Sequence, residues 1–157
     1  MKKPVILAGI LFIADQITKI LISVFVAYGS SIKVIPFFDF FNITNIRNTG
    51  VAFSFFQGRN FLLSIFTAAI LLFFCVWLYK NRNGVAKFQF YAFCLVISGG
   101  LGNLADRIFR GAVVDFLDFG INSLRWPSFN VADSCVCIGV SLVIIDMINP
   151  VFKRKKV

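Results

Sequence analysis

Apolar residues gather into four long runs, at residues 4–26, 61–79, 88–107 and 131–149, separated by polar or turn-rich stretches. About 20 apolar residues cross the hydrocarbon core of a bilayer as a helix, so each run is long enough to span. Between the first two runs, over residues 30–58, the period changes. Ile32 and Val34 alternate with polar neighbours, as do Phe41 and Ile43 around Asn42 and Thr44, with Pro36 between them. That is the pattern of short strands joined by a turn. Arg47-Asn48-Thr49-Gly50 then has turn chemistry, and Val51-Ala52-Phe53-Ser54-Phe55-Phe56 is too short to span and rich in Phe. Such a segment belongs at the lipid surface, as a plain aromatic anchor or as the flank of a site for a lipid-bearing substrate. The expected architecture is an all-α membrane protein in one domain: four transmembrane helices, a small extracytoplasmic β-sheet and a short interfacial aromatic segment. Residues 108–130 are expected to form an outer acidic loop.

Composition agrees. Hydrophobic residues make up 59% of the 157-residue chain and charged residues 15%, whereas charged residues alone take about a quarter of a soluble domain. The net charge of +9 does not mark a nucleic-acid partner, because the basic residues bracket the apolar runs. With both termini cytoplasmic, one side collects Lys2, Lys3, Lys80, Arg82, Lys87 and the basic tail Lys153-Arg154-Lys155-Lys156, with no acid outside the spans. That is the positive-inside pattern, and it turns the acidic residues outward. A removable signal peptide is the alternative reading of Lys2-Lys3 and the first run, with a loose small-residue site at Phe25-Val26-Ala27. The run is long for such a signal, and Asp15, Gln16 and Lys19 interrupt it.

Charges within the spans are costly and mark a partner or a function. Asp15 and Lys19, four apart in the first span, share a helix face and are expected to pair, either as a structural lock or beside a site. In the third run Ser98-Gly99-Gly100-Leu101-Gly102 allows close helix approach. Asn103, Asp106 and Arg107 then form a polar stripe rising outward; glycine packing with a snorkelling arginine is the bland account. Asn130 is placed as N-cap of the fourth helix, which puts Asp133 at its third position, where capping alone can explain a carboxylate. Asp146 is expected to meet the basic tail. Cys75, Cys94, Cys135 and Cys137 lie inside apolar helices without metal-like company and are read as small buried side chains.

All seven acids are aspartate and the chain has no histidine. That removes the Ser-His-Asp triad and glutamate-assisted metalloprotease schemes, and no serine stands out beside Lys19 for a Ser-Lys dyad. Four of the seven aspartates, Asp106, Asp115, Asp118 and Asp133, fall close together in the sequence. Two close carboxylates share a proton, one acting as base towards water and the other as acid towards the leaving group, which serves peptide hydrolysis without cofactor or metal. Spacing alone leaves open which of Asp106, Asp115 and Asp118 joins Asp133. It also leaves two rivals: a small proton-coupled transporter subunit using Asp15, Lys19 and the acid cluster, and a structural lipid-binding membrane protein.

Five blocks in order carry a resemblance. They are Asp15-Gln16-x-Thr18-Lys19; Arg47-Asn48-x-Gly50-x-Ala52-Phe53; Gly99-Gly100-x-Gly102-Asn103-x-x-Asp106-Arg107; Val113-Val114-Asp115-Phe116; and Phe129-Asn130-x-Ala132-Asp133. With them the whole chain resembles the bacterial lipoprotein signal peptidases, or signal peptidase II. The resemblance implies an aspartic endopeptidase of the bacterial cytoplasmic membrane. Its substrates would be diacylglyceryl-modified prolipoproteins, cut just before the lipidated cysteine near the outer face. By motif position it implies Asp115 and Asp133 as the catalytic pair. Asp15, Lys19, Asn48, Gly50, Gly102, Asn103, Arg107, Asn130 and Ala132 would surround the pocket, with Asn103 and Arg107 reaching substrate backbone. Asp106 is expected to hold Arg107, and Asp118 stands in reserve. The implied partners are the prolipoprotein and membrane lipid; nothing in the sequence demands a dimer.

Overall fold

The computed structural model describes residues 2–35, 37–50 and 55–148. Its elements in chain order are helix α1 (Lys2–Phe25), strands β1 (Ser31–Ile35) and β2 (Phe38–Asn48), helices α2 (Asn60–Asn81) and α3 (Lys87–Phe109), strands β3 (Val113–Ile121) and β4 (Leu124–Arg125), and helix α4 (Val131–Ile148). All four helices are long and apolar enough to cross a membrane. Large aliphatic and aromatic side chains stay exposed along their outer faces, among them Ile17, Val24, Phe66, Leu72 and Ile144. In water that surface would be unstable; against lipid it is the solvated face of the bundle.

Helix α3 is the hub and packs on each of the other three helices. Glycines make this possible. A Cβ on Gly99 would sit 2.2 Å from the Ala132 carbonyl oxygen of α4, and one on Gly139 would sit 2.7 Å from that of Ala92. At these two glycines the backbones of α3 and α4 come into direct contact, with Val136 and Val96 packed beside them, as helices do where lipid supplies no hydrophobic drive and packing must hold them. Towards the other end of α3, Phe90 and Cys94 pack with Leu78 of α2, with Ala8, Val85, Phe93 and Ile97 around them.

The sheet is antiparallel throughout, in the order β1-β2-β3-β4. Its first two strands lie where the alternation placed them. The expected loop over 108–130 is instead half strand: β3 pairs with β2 in the register Asn42↔Asp118, Ile46↔Asp115 and Asn48↔Val113. The physical reason is that Val113-Val114-Asp115-Phe116-Leu117-Asp118-Phe119 is β-branched and aromatic, and pairing along β2 satisfies its backbone on one edge. Phe41 stacks on Phe119 with centroids 4.5 Å apart, and Phe119 meets Phe129 at 5.9 Å. Asn45 ties the sheet to α1 by donating to the Val26 carbonyl at 2.7 Å. The aromatic segment falls partly outside the described residues; of it, Phe55 and Phe56 are exposed.

Candidate active site

Two carboxylates from different elements are held by one asparagine. Asp115 lies in β3, and β2 and β3 bury it. Asp133 lies in the first turn of α4 and is half-buried. Asn130, itself fully buried, caps α4. Its side-chain oxygen accepts from the Asp133 amide at 2.9 Å, while its own amide donates to Asp133 Oδ2 at 3.2 Å. This is a reciprocal cap, two free helix-end groups satisfied together. The remaining end of the Asn130 side chain, Nδ2, donates to Asp115 Oδ1 at 2.8 Å. The residue that starts α4 thereby fixes both acids.

Each carboxylate has a second amide donor. Asn48 Nδ2 donates to Asp115 Oδ2 at 2.9 Å, and Asn103 Nδ2 donates to Asp133 Oδ1 at 2.7 Å. Burial pushes the Asp115 carboxyl up to about 7, the Asp133 charge adds to this, and the two asparagine donors oppose it. A carboxylate with so high a value is half-protonated near neutrality, as an acid–base pair requires. The Asn48 side chain also accepts from the Gly50 amide at 2.9 Å. A Cβ at Gly50 would lie 2.4 Å from the Phe55 carbonyl oxygen, so the turn there closes only on glycine.

Beneath the acids lies a buried ionic lattice. Lys19, with no exposed surface, meets Asp15 and Asp106 at 2.9 Å each and donates to Asn103 Oδ1 at 3.0 Å. Asp15 passes the connection on, accepting from the Ala132 amide at 2.8 Å. Gly102 makes room: a Cβ there would lie 2.6 Å from Asp15 Oδ2 and 3.0 Å from the Ala132 side chain. The Asp15–Lys19 pair expected from the sequence is present, inside a larger network.

One expectation is corrected. Asp106 does not hold Arg107. It binds Lys19, Arg110 and the Val114 amide, the last at 3.1 Å. Consecutive helix residues point about 100° apart, so while Asp106 faces α1, Arg107 turns to the turn after β2 and donates to the Gly50 carbonyl at 2.9 Å. Asp118 lies three residues from Asp115 on the same strand and so projects from the other face. Arg125 Nε holds it at 2.8 and 2.9 Å, away from Asp133. The expected meeting of Asp146 with the basic tail lies outside the described residues; among them Asp146 accepts from Gln89. Gln16 and Arg110 were missed as members of the lattice, although Arg110 stands four residues after Asp106, the spacing of a helical ion pair.

No group of three or more candidate metal ligands occurs among the described residues. Cys94 and Cys135 are buried as expected, whereas Cys75 and Cys137 are exposed, because they fall on the outward faces of their helices.

Residues 7–149 match the sequence profile of the family described as Signal peptidase (SPase) II. A lipoprotein signal peptidase of Ralstonia nicotianae is 44% identical over 91% of this chain and 83% of its own length. That of Syntrophus aciditrophicus is 40% identical over 95% and 96%. A bacterial membrane enzyme solved by the in meso method at 2.3 Å superposes with a TM-score of 0.87 at 35% identity, over all of this chain and 94% of its own. With four membrane-crossing helices and a profile match along nearly its full length, this chain belongs to the signal peptidase II family of peptidases.

Proposed function

We propose that the protein is an aspartic endopeptidase that removes the signal peptide from diacylglyceryl-modified prolipoproteins, cutting just before the lipidated cysteine. The observation that carries this reading is the Asn130 bridge, which ties Asp115 of β3 and Asp133 of α4 to one residue. The names of the relatives give the substrate class. Burial and the neighbouring Asp133 charge hold the Asp115 carboxyl at about 7, which suits it to carry the proton that the pair shares. Asp133 takes a proton from the water that attacks the scissile carbonyl. Asp115 gives its proton to the carbonyl oxygen, and the pair then protonates the departing nitrogen as the tetrahedral intermediate collapses. Two positively directed groups support the pocket. Lys19 holds the Asn103 oxygen, so that the Asn103 amide points at Asp133. Arg107 is buried with its Nε unpartnered among the described residues, a donor free for a substrate carbonyl.

The charge asymmetry of the loops supports cytoplasmic termini and a position of the acids near the outer face. There water reaches the half-buried Asp133 while the substrate's lipid stays in the bilayer. The sheet and the exposed Phe55 and Phe56 clasp the substrate from the lipid surface. The chain acts as a monomer.

The test is cleavage of a diacylglyceryl-modified prolipoprotein by purified protein in detergent, with Asp115→Asn, Asp133→Asn and chelator arms. Cleavage at the lipidated cysteine that is lost in both folded variants and indifferent to chelator supports the reading. Turnover by Asp115→Asn removes the dyad assignment, and ion-coupled flux without cleavage would favour a transporter.

A further inference from the structure

A second charged site lies on the opposite face of the sheet from the two acids. Asn48 and its neighbour Arg47 point to opposite faces of β2: Asn48 reaches Asp115, whereas Arg47 reaches back to α1 and donates to Ser23 Oγ at 3.0 Å. Among the described residues no carboxylate pairs with Arg47. Arg110, from the end of α3, lies on the same crevice of about 590 Å³, whose lining includes Ile20, Val24 and Ala112. Arg110 does have an acid, Asp106, but Asp106 is shared with Lys19. Lys19 and Arg110 balance the buried Asp15 and Asp106, which leaves Arg47 as one positive charge in excess on the crevice.

The apolar side of the crevice continues down the bundle. Ile13, Ile17, Ile20 and Val24 recur at intervals of three and four, so they form one stripe along α1, and each is at least half exposed. The stripe ends at the two guanidinium groups. An acyl chain lying along these residues would bring its headgroup to Arg47 and Arg110, whose planar forks match phosphate oxygens.

We infer that this crevice binds an anionic glycerophospholipid of the bilayer, its phosphate on Arg47 and Arg110 and a chain along the Ile13–Val24 stripe of α1. The inference does not depend on the hydrolytic reading, because the crevice is separated from Asp115 by the sheet. The excess charge favours an anionic over a zwitterionic lipid, and the stripe favours a lipid over a soluble phosphate.

Native mass spectrometry of the full chain tests this, titrating phosphatidylglycerol, phosphatidylcholine of the same chains, and glycerol 3-phosphate. The wild type is expected to retain phosphatidylglycerol with an affinity on the order of tenfold above phosphatidylcholine, the worth of about one charge-assisted contact. Arg47→Gln and Arg110→Gln, each checked for an unchanged melting midpoint, are expected to abolish that preference. Equal retention of both lipids by the wild type, a preference that survives Arg47→Gln, or retention of glycerol 3-phosphate as tight as that of the lipid overturns the inference. If the variants fail to fold, a photoactivatable phosphatidylglycerol on the wild type decides: labelling of residues 13–24 supports the site, and labelling only elsewhere overturns it.

Discussion

Lys19 of α1 meets Asp106 of α3 at 2.9 Å with neither side chain exposed to solvent. A lysine so placed in the middle of a membrane bundle is held there by its acids, and each acid depends on the lysine in turn. Breaking such a pair costs more than its net attraction, because a charge is left buried and alone. Lys19→Met is therefore expected to lower stability by about 3–5 kcal/mol, read as a large drop in the melting midpoint in detergent. Adding Asp15→Asn removes one stranded acid and is expected to recover part of the loss, while Asp106 keeps Arg110. A midpoint unchanged in Lys19→Met would show that the lattice does not hold the helices together.

Gly102→Ala tests how tightly α1, α3 and α4 meet. The new methyl would lie 2.6 Å from Asp15 Oδ2, and that oxygen cannot swing away without releasing Lys19. Asp15 also holds the Ala132 amide one residue before Asp133. The shift is expected to reach the acid pair, lowering kcat at least tenfold even where the variant folds. Full activity in Gly102→Ala would mean that α4 takes up the methyl without moving Asp133.

Asp118→Asn separates the two aspartates of β3. Arg125 would lose the charged acceptor of its Nε while keeping the Asp39 carbonyl at 3.0 Å, so the β3–β4 hairpin should loosen and the melting midpoint fall modestly. Because Asp118 projects from the face away from Asp133, kcat is expected to stay within the same order of magnitude as wild type, whereas Asp115→Asn abolishes it. Loss of turnover in both variants with intact fold would reopen the choice between them.

Phe55 and Phe56 are expected to act in capture of the substrate and not in the chemical step. Both side chains are exposed, whereas Asp115 is buried. Replacing the two by serine should raise KM more than it lowers kcat. The reverse split would count against a clasp.

The four helices were legible because lipid imposes a long apolar run that nothing else in a short chain imitates. The Asn130 cap was legible too, since a capping asparagine and a carboxylate three residues on are a local pattern. What spacing could not give was the partner of a charge. Asp106 stands beside Arg107 in sequence, yet helix rotation separates them, and the true partner, Lys19, comes from another helix. The β3 strand was hidden for the same kind of reason: its apolar run gains strand identity only from β2, many residues earlier. The preference for Asp115 over Asp118 came from motif position alone; strand parity, which an expected loop could not offer, puts the two on opposite faces of β3.

The pH dependence carries the most specific consequence of the site. Asp115 is raised to about 7, chiefly by burial and then by the Asp133 charge. If catalysis needs this carboxyl protonated, kcat should fall as pH rises through about 7. Asn48 stabilises the ionised form of Asp115 by hydrogen bonding, so Asn48→Ala is expected to raise the value further and move that alkaline limb to higher pH. The stability effect has a definite sign. A carboxyl whose folded value lies above its unfolded value of about 4 favours the fold in its neutral form. Its contribution is complete below pH 4 and is lost as pH rises towards 7, at up to about 1.4 kcal/mol per pH unit. Asp115→Asn cannot ionise and should flatten this part of the melting-midpoint profile, so that it is the more stable protein at pH 7 while being inactive. A wild-type midpoint that rises between pH 4 and 7 and a variant that follows the same curve would show that Asp115 is ionised throughout, and would shift the shared proton to Asp133.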